Sequence, residues 1–511
     1  MVGCVALYVL AVALFPSTGD QDAAIHAIYA RFPTDPSRYL SAYARPAFAV
    51  PYLLPALAGY GAMRATTVAV CAAAAWLTWL TARRVGLARP WLAVPFVMLQ
   101  PALYVVGVDT MTEPTFVLFL AAGLWAYANA RHGLAAALWS FLPLARPEGP
   151  FVVAIAALLW LPATRRDPRR WLPRLALLGL GMAVWELLCI VVARDPTFIR
   201  DTFPWRSSAY PWRGTWYHFI GRWPHIVGWG VLPLWLLGVA AAARAVMTRR
   251  DGGDVPNARV AVLRFALVVT GVLLVLHTWL FMTGKMASTG FDRYFATIAP
   301  LTAVIAVAGA ESATRWLRER GRARLAAPLL LALLLAVEAA HAWVRLDANA
   351  YAHSGAETRR AVALAARETG DLHARPFLSA DYFGFVFADR DRPGDLMAVG
   401  VRDSSLRAIE RMPAGTVVVW DDVIGDWWFH LAAEDFTARG YRVLADRRTE
   451  LGSPLAPLYV RPGSGRWTGR WVLSVFGNGL WPTHPFRQTV LVREAAPAAV
   501  SSATTRDSTS P

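Results

Sequence analysis

Lysine and cysteine are nearly absent from this chain. Lys285 is the only lysine, so the positive charge is carried almost entirely by arginine. The three cysteines, Cys4, Cys71 and Cys189, all lie inside apolar runs, which excludes a disulfide framework and a cysteine-based metal knuckle. Charge of either sign is scarce: charged residues make up 17% of the chain against 56% hydrophobic. A mean hydropathy of +0.37 is too high for an ordinary soluble enzyme. Histidines form no cluster with metal-ligand spacing, and His277 and His341, each within an apolar segment, read as structural.

What the chain has instead is a series of apolar runs over its first two thirds, many near the ~20 residues that cross a bilayer. The net charge of +16 does not point to nucleic acid. Its arginines sit in short loops between apolar runs, at Arg83-Arg84, Arg165 to Arg170, Arg249-Arg250 and Arg315 to Arg324, as in a membrane protein whose basic loops fix its orientation. With those loops cytoplasmic, the first run, Val2 to Pro16, leads outward as a retained helix. Ala47 to Met63, broken by Pro51, Pro55 and Gly59, reads as a juxtamembrane or re-entrant element. Counting onward gives about eleven spans ending near Val344 and puts every heavily basic loop on one side. The expected fold is a polytopic α-helical membrane region over residues 1–345 with a soluble α/β domain over 346–495 and a disordered tail over 496–511.

The soluble part alternates a helix at Ala356 to Arg367, strands at Pro376 to Ala380 and Thr416 to Trp420, a helix at Trp427 to Arg439 closed by Gly440, and strands at Tyr441 to Ala445 and Leu458 to Val460. It contains no Gly-x-Gly-x-x-Gly and no Walker-type loop, so no nucleotide site is expected in it.

The residues able to do chemistry stand at the outer ends of the apolar runs. Asp20 and Asp22 follow the first run, and an amphipathic Ala-Ile-His-Ala-Ile-Tyr follows them. A carboxylate there is placed to act as a general base, with Asp20 favoured because Gly19 suits close approach to a ligand. Glu113 opens a later helix in Thr112-Glu113-Pro114, where an acid also suits the helix N-terminus. Arg146-Pro147-Glu148-Gly149 puts a charged pair between two short apolar segments, which is costly unless paired or facing a polar cavity. Lys285, Arg293 and Tyr294 add two cations and an aromatic ring near a late span, and Phe203 to Pro224 interleaves tryptophan and tyrosine with Arg206, Arg213 and Arg222. Arginine beside aromatic rings suits a phosphate next to a sugar face, and aromatic residues also simply mark the membrane interface.

In this order, Gly19-Asp20, Thr112-Glu113-Pro114, Arg146-Pro147-Glu148-Gly149 and Asp292-Arg293-Tyr294 resemble the GT-C superfamily of membrane glycosyltransferases, nearest to the protein O-mannosyltransferase and aminoarabinose transferase relatives. The resemblance implies a polyprenyl-phosphate sugar donor, a mannose-like monosaccharide, a glycan, lipid or protein acceptor, membrane lipids around the chain and inverting transfer at the outer face of a bacterial inner membrane. It makes Asp20 or Asp22 the base and Glu113, Arg146, Glu148, Lys285, Arg293 and Tyr294 substrate-binding residues. Many relatives carry Asp-Glu where this chain has Asp20-Gln21-Asp22, so both the choice of base and a divalent cation on Asp20, Asp22 and Glu113 stay open. Two other classes remain as alternatives. A transporter or flippase would place ionisable groups near the midplane and show internal repeats. A non-catalytic assembly protein for envelope polysaccharide is the second.

Overall fold

The computed structural model describes the chain except residues 44, 165–167, 203–212, 249–256, 287, 322, 392–400, 456–482 and 495–511. Arg165-Arg166, Arg249-Arg250, Trp205, Arg206, Tyr210, the strand expected at Leu458 to Val460 and the tail therefore lie outside the described residues. The chain divides into two compact units, Met1–Gly355 with Gly452–His484, and Ala356–Leu451 with Pro485–Pro511.

The first unit is built of helices. Among the described residues five are long and apolar enough to cross a membrane: Tyr60–Arg84, Trp171–Ala193, Ala258–Thr283, Asp292–Glu319 and Ala326–Asp347. Two bent pairs raise the number to seven if each is one span: Pro90–Met98 with Pro101–Gly107, bent by 61°, and His218–Val227 with Leu232–Met247, bent by 109°. The first bend follows from Pro101, which lacks an N–H and pushes Gln100 out of helical geometry (ψ 120°). The second turns at Gly228 (φ +94°), and Glu338 of a neighbouring span accepts the buried N–H groups of Gly230 and Val231, at the start of the next helix, at 3.1 Å each. Shorter apolar helices fill the gaps, among them Val2–Leu14, Pro46–Leu57, Glu113–Ala128 and Gly149–Trp160. Pro46–Leu57 stops after 12 residues, with Pro51 and Pro55 inside it.

The helices Leu232–Met247 and Ala299–Glu319 approach closely through small residues. A Cβ on Gly238 would lie 1.9 Å from the Ile305 carbonyl oxygen, and one on Gly309 1.8 Å from that of Leu234. Where burying apolar surface gains little, such backbone approach is what holds helices together.

The second unit holds a four-stranded sheet in the order β1-β2-β4-β3, with β1 Phe377–Ser379, β2 Val417–Asp421, β3 Tyr441–Gly452 and β4 Thr483–Arg493. β1 and β2 run parallel, with Phe377 opposite Val417, and β4 pairs antiparallel with β2. Leu378, Val418, Trp420, Phe436, Tyr441 and Leu491 form its core. The helix expected over Trp427 to Arg439 is instead two short ones, Ile424–Phe429 and Ala433–Thr437. His430 breaks it, in the left-handed region at φ +54°.

Candidate active site

The loop after the first helix is fixed from below by Asp109. This fully buried carboxylate accepts the Thr18 N–H at 2.9 Å, the Thr18 hydroxyl at 2.7 Å, the Thr110 N–H at 2.8 Å and the Tyr60 hydroxyl. Arg64 ties the same region together through carbonyl oxygens, donating to Val108 at 2.7 Å, Val12 at 3.1 Å and Pro16 at 3.3 Å. Gly19 then turns the chain at φ +75°, and a Cβ there would meet the Tyr351 carbonyl oxygen at 2.2 Å. No other residue fits this crossing, which delivers Asp20 as the N-cap of the helix Gln21–Arg31, accepting the Asp22 N–H at 3.1 Å.

Asp20 and Asp22 are both bound by the guanidinium of Arg293, one nitrogen to each carboxylate. The Tyr43 hydroxyl donates a further bond to Asp22 at 2.7 Å. About a third of each acid's side chain remains open to solvent (35% and 34%), so the pair is walled in on most sides yet reachable from one. Burial pushes the Asp20 carboxyl up to about 6, the pull of Arg293 offsetting only part of that rise and Asp22 and Glu113 adding to it. Burial acts to raise Asp22 as well, but Arg293, His26 and the Tyr43 hydroxyl outweigh it and hold that carboxyl below its ordinary range. One acid of the pair is thereby poised near neutrality and the other stays charged.

Arg293 comes from the 3-10 turn Asp292–Ile298, which is itself anchored. Asp292, 6% exposed, takes two bonds from Arg222 at 2.5 and 3.1 Å and one from Arg345 at 3.0 Å. The next residue, Tyr294, reaches the opposite way. The His277 ring stacks on it at a centroid distance of 5.3 Å and 17° between planes, and the Arg146 guanidinium lies 6.0 Å from its centroid.

Arg146 is the centre of a second cluster. It pairs with Glu113 at 2.8 Å and Glu148 at 3.1 Å and donates to the Thr112 hydroxyl at 3.0 Å. Glu113 and Glu148 are buried, and His277 Nε2 lies 3.5 Å from Glu148. A cavity bounded by Arg146, Glu148, His277, Ser288 and Tyr294 opens here.

The structure thus brings Asp20, Asp22 and Arg293 together, joins Arg146 to Glu113 and Glu148, and links the two groups through Tyr294. Lys285 is not brought in: it is exposed, with its ammonium 5.1 Å from the ring centroid of Trp279. Sequence reasoning missed Tyr43 and Arg64 and read His277 as structural. A histidine inside an otherwise apolar span was the available signal for the last. Among the described residues no three His, Cys, Asp or Glu side chains converge as metal ligands.

A scan against protein-family models gives no match, and a search of curated proteins gives no relative. Among solved structures, the chain is similar to the crystal structure of ArnT from Cupriavidus metallidurans bound to undecaprenyl phosphate, at 11% identity and a TM-score of 0.56 over 87% of this chain and 95% of that one. The apo state of the same protein gives 13% identity and the same TM-score and coverage. An Archaeoglobus fulgidus oligosaccharyltransferase tethered to an acceptor peptide gives 12% identity over 86% of this chain and 72% of that one, at a TM-score of 0.44. The fold of this chain is like that of ArnT over most of both chains.

Proposed function

We propose that this protein is an inverting membrane glycosyltransferase that moves a monosaccharide, mannose-like in kind, from a polyprenyl-phosphate donor to an acceptor hydroxyl, with Asp20 as the general base. The observation that carries this reading is the meeting of Asp20 and Asp22 on one guanidinium, Arg293, whose neighbour Tyr294 touches the Arg146 cluster. The likeness in fold to ArnT bound to undecaprenyl phosphate supports the donor class.

In the proposed step Asp20 removes the proton of the acceptor hydroxyl as its oxygen attacks the anomeric carbon. The bond from that carbon to the phosphate oxygen breaks with its electron pair, and polyprenyl phosphate leaves. Negative charge grows on the phosphate as this happens, which a guanidinium such as Arg293 or Arg146 stabilises in the transition state. Asp20 suits the base role better than Asp22, because a carboxyl near 6 combines basicity with deprotonation at neutral pH, whereas Asp22 is held charged and acts to position Arg293. The reading takes the site and the second unit to be extracytoplasmic in a bacterial inner membrane, with about eleven crossings if the shorter apolar helices also span. Glycan, lipid and protein hydroxyls are all admissible acceptors.

A transporter would put its ionisable residues to work at mid-membrane. Glu338, the buried acid inside a span, is instead occupied with capping the Gly230–Val231 corner. The test is release of polyprenyl phosphate from a panel of polyprenyl-phosphate sugars by purified protein with acceptor lysate. Turnover that Asp20→Asn abolishes and Asp22→Asn only weakens is the expected result. Absence of turnover for every donor shifts the weight to transport or assembly.

A further inference from the structure

At the ends of the helices that carry the basic loops, outside the site described above, a cluster of cations gathers on one tyrosine. Arg264 stands about two turns into the apolar span Ala258–Thr283, and His132 opens the helix His132–Trp139. Both meet Tyr127, at the end of Glu113–Ala128. The Tyr127 hydroxyl is hydrogen-bonded by the Arg264 guanidinium and the Trp160 indole, and its ring lies 5.6 Å from that of His132 and 6.0 Å from that of Trp160. Arg174, in the span Trp171–Ala193, is a third cation, close enough for its charge to act on both Tyr127 and His132. One turn further along, Leu177 packs 3.7 Å from where a Cβ on Gly133 would stand. Trp139 supports the cluster, stacked on Phe265 at 4.6 Å and on Trp160 at 5.8 Å.

Among the described residues no carboxylate pairs with Arg264. The acid that reaches the start of the same span, Glu311, is held by Arg259 at 3.0 Å and Arg315 at 2.9 Å. Arg131 lies over the Trp125 ring instead, 5.6 Å from its centroid. Two nitrogens of the cluster, Arg264 Nε and His132 Nδ1, are buried with no hydrogen-bond partner. Like charges gathered at the edge of an apolar span repel one another, and a buried guanidinium nitrogen without an acceptor is costly there unless an anion supplies one.

We infer that this cluster binds the phosphate of an anionic phospholipid from the leaflet at that end of the spans. Guanidinium groups match phosphate oxygens in geometry as well as charge, and His132 Nδ1 adds a donor in its N–H tautomer. Tyr127, by holding Arg264, sets the direction of the fork. Basic pockets between membrane helices suit lipid head groups, and here Leu134, Leu158 and Leu172, on three of the same helices, are exposed and offer acyl chains an apolar surface. The site is independent of the glycosyl-transfer reading.

The experiment titrates delipidated full-length protein in neutral detergent with phosphatidylglycerol or with phosphatidylcholine of the same acyl chains, and counts bound lipid by native mass spectrometry. Phosphatidylglycerol is expected to bind about tenfold more tightly than phosphatidylcholine. Replacing both arginines, Arg174→Gln with Arg264→Gln, should abolish that preference, whereas Arg264→Lys and Arg131→Gln should retain it. Should the double variant fail to fold, His132→Gln removes a single donor and is expected to weaken phosphatidylglycerol roughly threefold, with phosphatidylcholine unmoved. Equal affinity for the two lipids in wild type overturns the assignment, as does a preference that survives intact in a folded double variant or in His132→Gln. Excess inorganic phosphate should not displace the lipid. Displacement at millimolar concentration would mean that the site takes the free ion, and would overturn the lipid as its ligand.

Discussion

Each unit of this protein sets two aspartates side by side, and the two pairs are handled in opposite ways. In the helical unit Asp20 and Asp22 share Arg293, so two negative charges are held side by side by one cation. In the second unit Asp381 stands two residues past β1 and Asp421 is the last residue of β2, each 2% exposed. No salt bridge reaches Asp421 among the described residues. Its Oδ1 accepts the N–H groups of Val423 and Ile424 at 3.1 and 2.7 Å, and its Oδ2 has no hydrogen-bond partner. Burial, and after it the charge of Asp381, pushes the Asp421 carboxyl up to about 7. One pair therefore keeps its charge by recruiting a guanidinium, and the other avoids charge by holding a proton. Only the first arrangement holds the general base proposed above, and its pKa depends on a cation.

The largest effect should come from removing that base. Asp20→Asn is expected to lower kcat by on the order of a thousandfold, within the range for general-base catalysis, without loss of folded protein. Arg293→Met turns the first pair into a copy of the second, and a loss on the order of a hundredfold in kcat/KM is expected from the missing electrostatic support. The pH dependence is the sharper readout. Because the base acts deprotonated, wild-type kcat/KM should fall as pH drops through about 6. Arg293 lowers the Asp20 carboxyl and Asp22 raises it, so Arg293→Met should move this limb to higher pH and Asp22→Asn to lower pH. Shifts in the same direction would break the comparison.

A smaller effect tests the anchor behind Arg293. Asp292→Asn keeps the shape of the side chain but removes the charge that Arg222 and Arg345 grip. A positioning role predicts roughly a tenfold fall in kcat with little change in donor KM. The acid limb of the pH profile should move upward as Arg293 loses its register. An unmoved profile would mean that Asp292 serves only to join helices.

How much of this was legible beforehand depends on whether a residue announces itself locally. Asp20, Glu113, Arg146, Glu148 and Arg293 are charges set between apolar runs, and that cost alone drew attention to them. Lys285 has the same signature, but the structure places it outward on Trp279, since a long cationic side chain near a helix end can reach the surface. His277 reads as structural from sequence because one histidine in an apolar span looks the same facing lipid, packing in a core or lining a cavity, and only the approach of Glu148 and Tyr294 distinguishes these. Asp109 and Tyr43 matter through partners 91 and 21 residues away, which no local pattern encodes. In the second unit, β1 and β2 were readable as short apolar runs buried on both faces, whereas β4, Thr483–Arg493, was missed because its first half mixes Pro485, Arg487 and Gln488 into the strand. The break at His430 was equally hidden, since the apolar spacing continues through it.

The smallest expected effect concerns the second pair and is one of stability alone. The folded Asp421 carboxyl keeps its proton up to about pH 7, while an unfolded aspartate releases it near 4. The folded state therefore loses stability as pH rises between these values and regains none above them. Asp421→Asn cannot ionise, and its Oδ1 retains the bonds to Val423 and Ile424. It should protect the strand Val417–Asp421 against hydrogen exchange by about 1–2 kcal/mol more than wild type at pH 8, with no gain at pH 4. Donor turnover should be unaltered, because the proposed base is in the other pair. A gain that persists at pH 4 would show that Asp421 is strained for reasons of packing. The two pairs would then differ in geometry, with charge playing no part in the contrast.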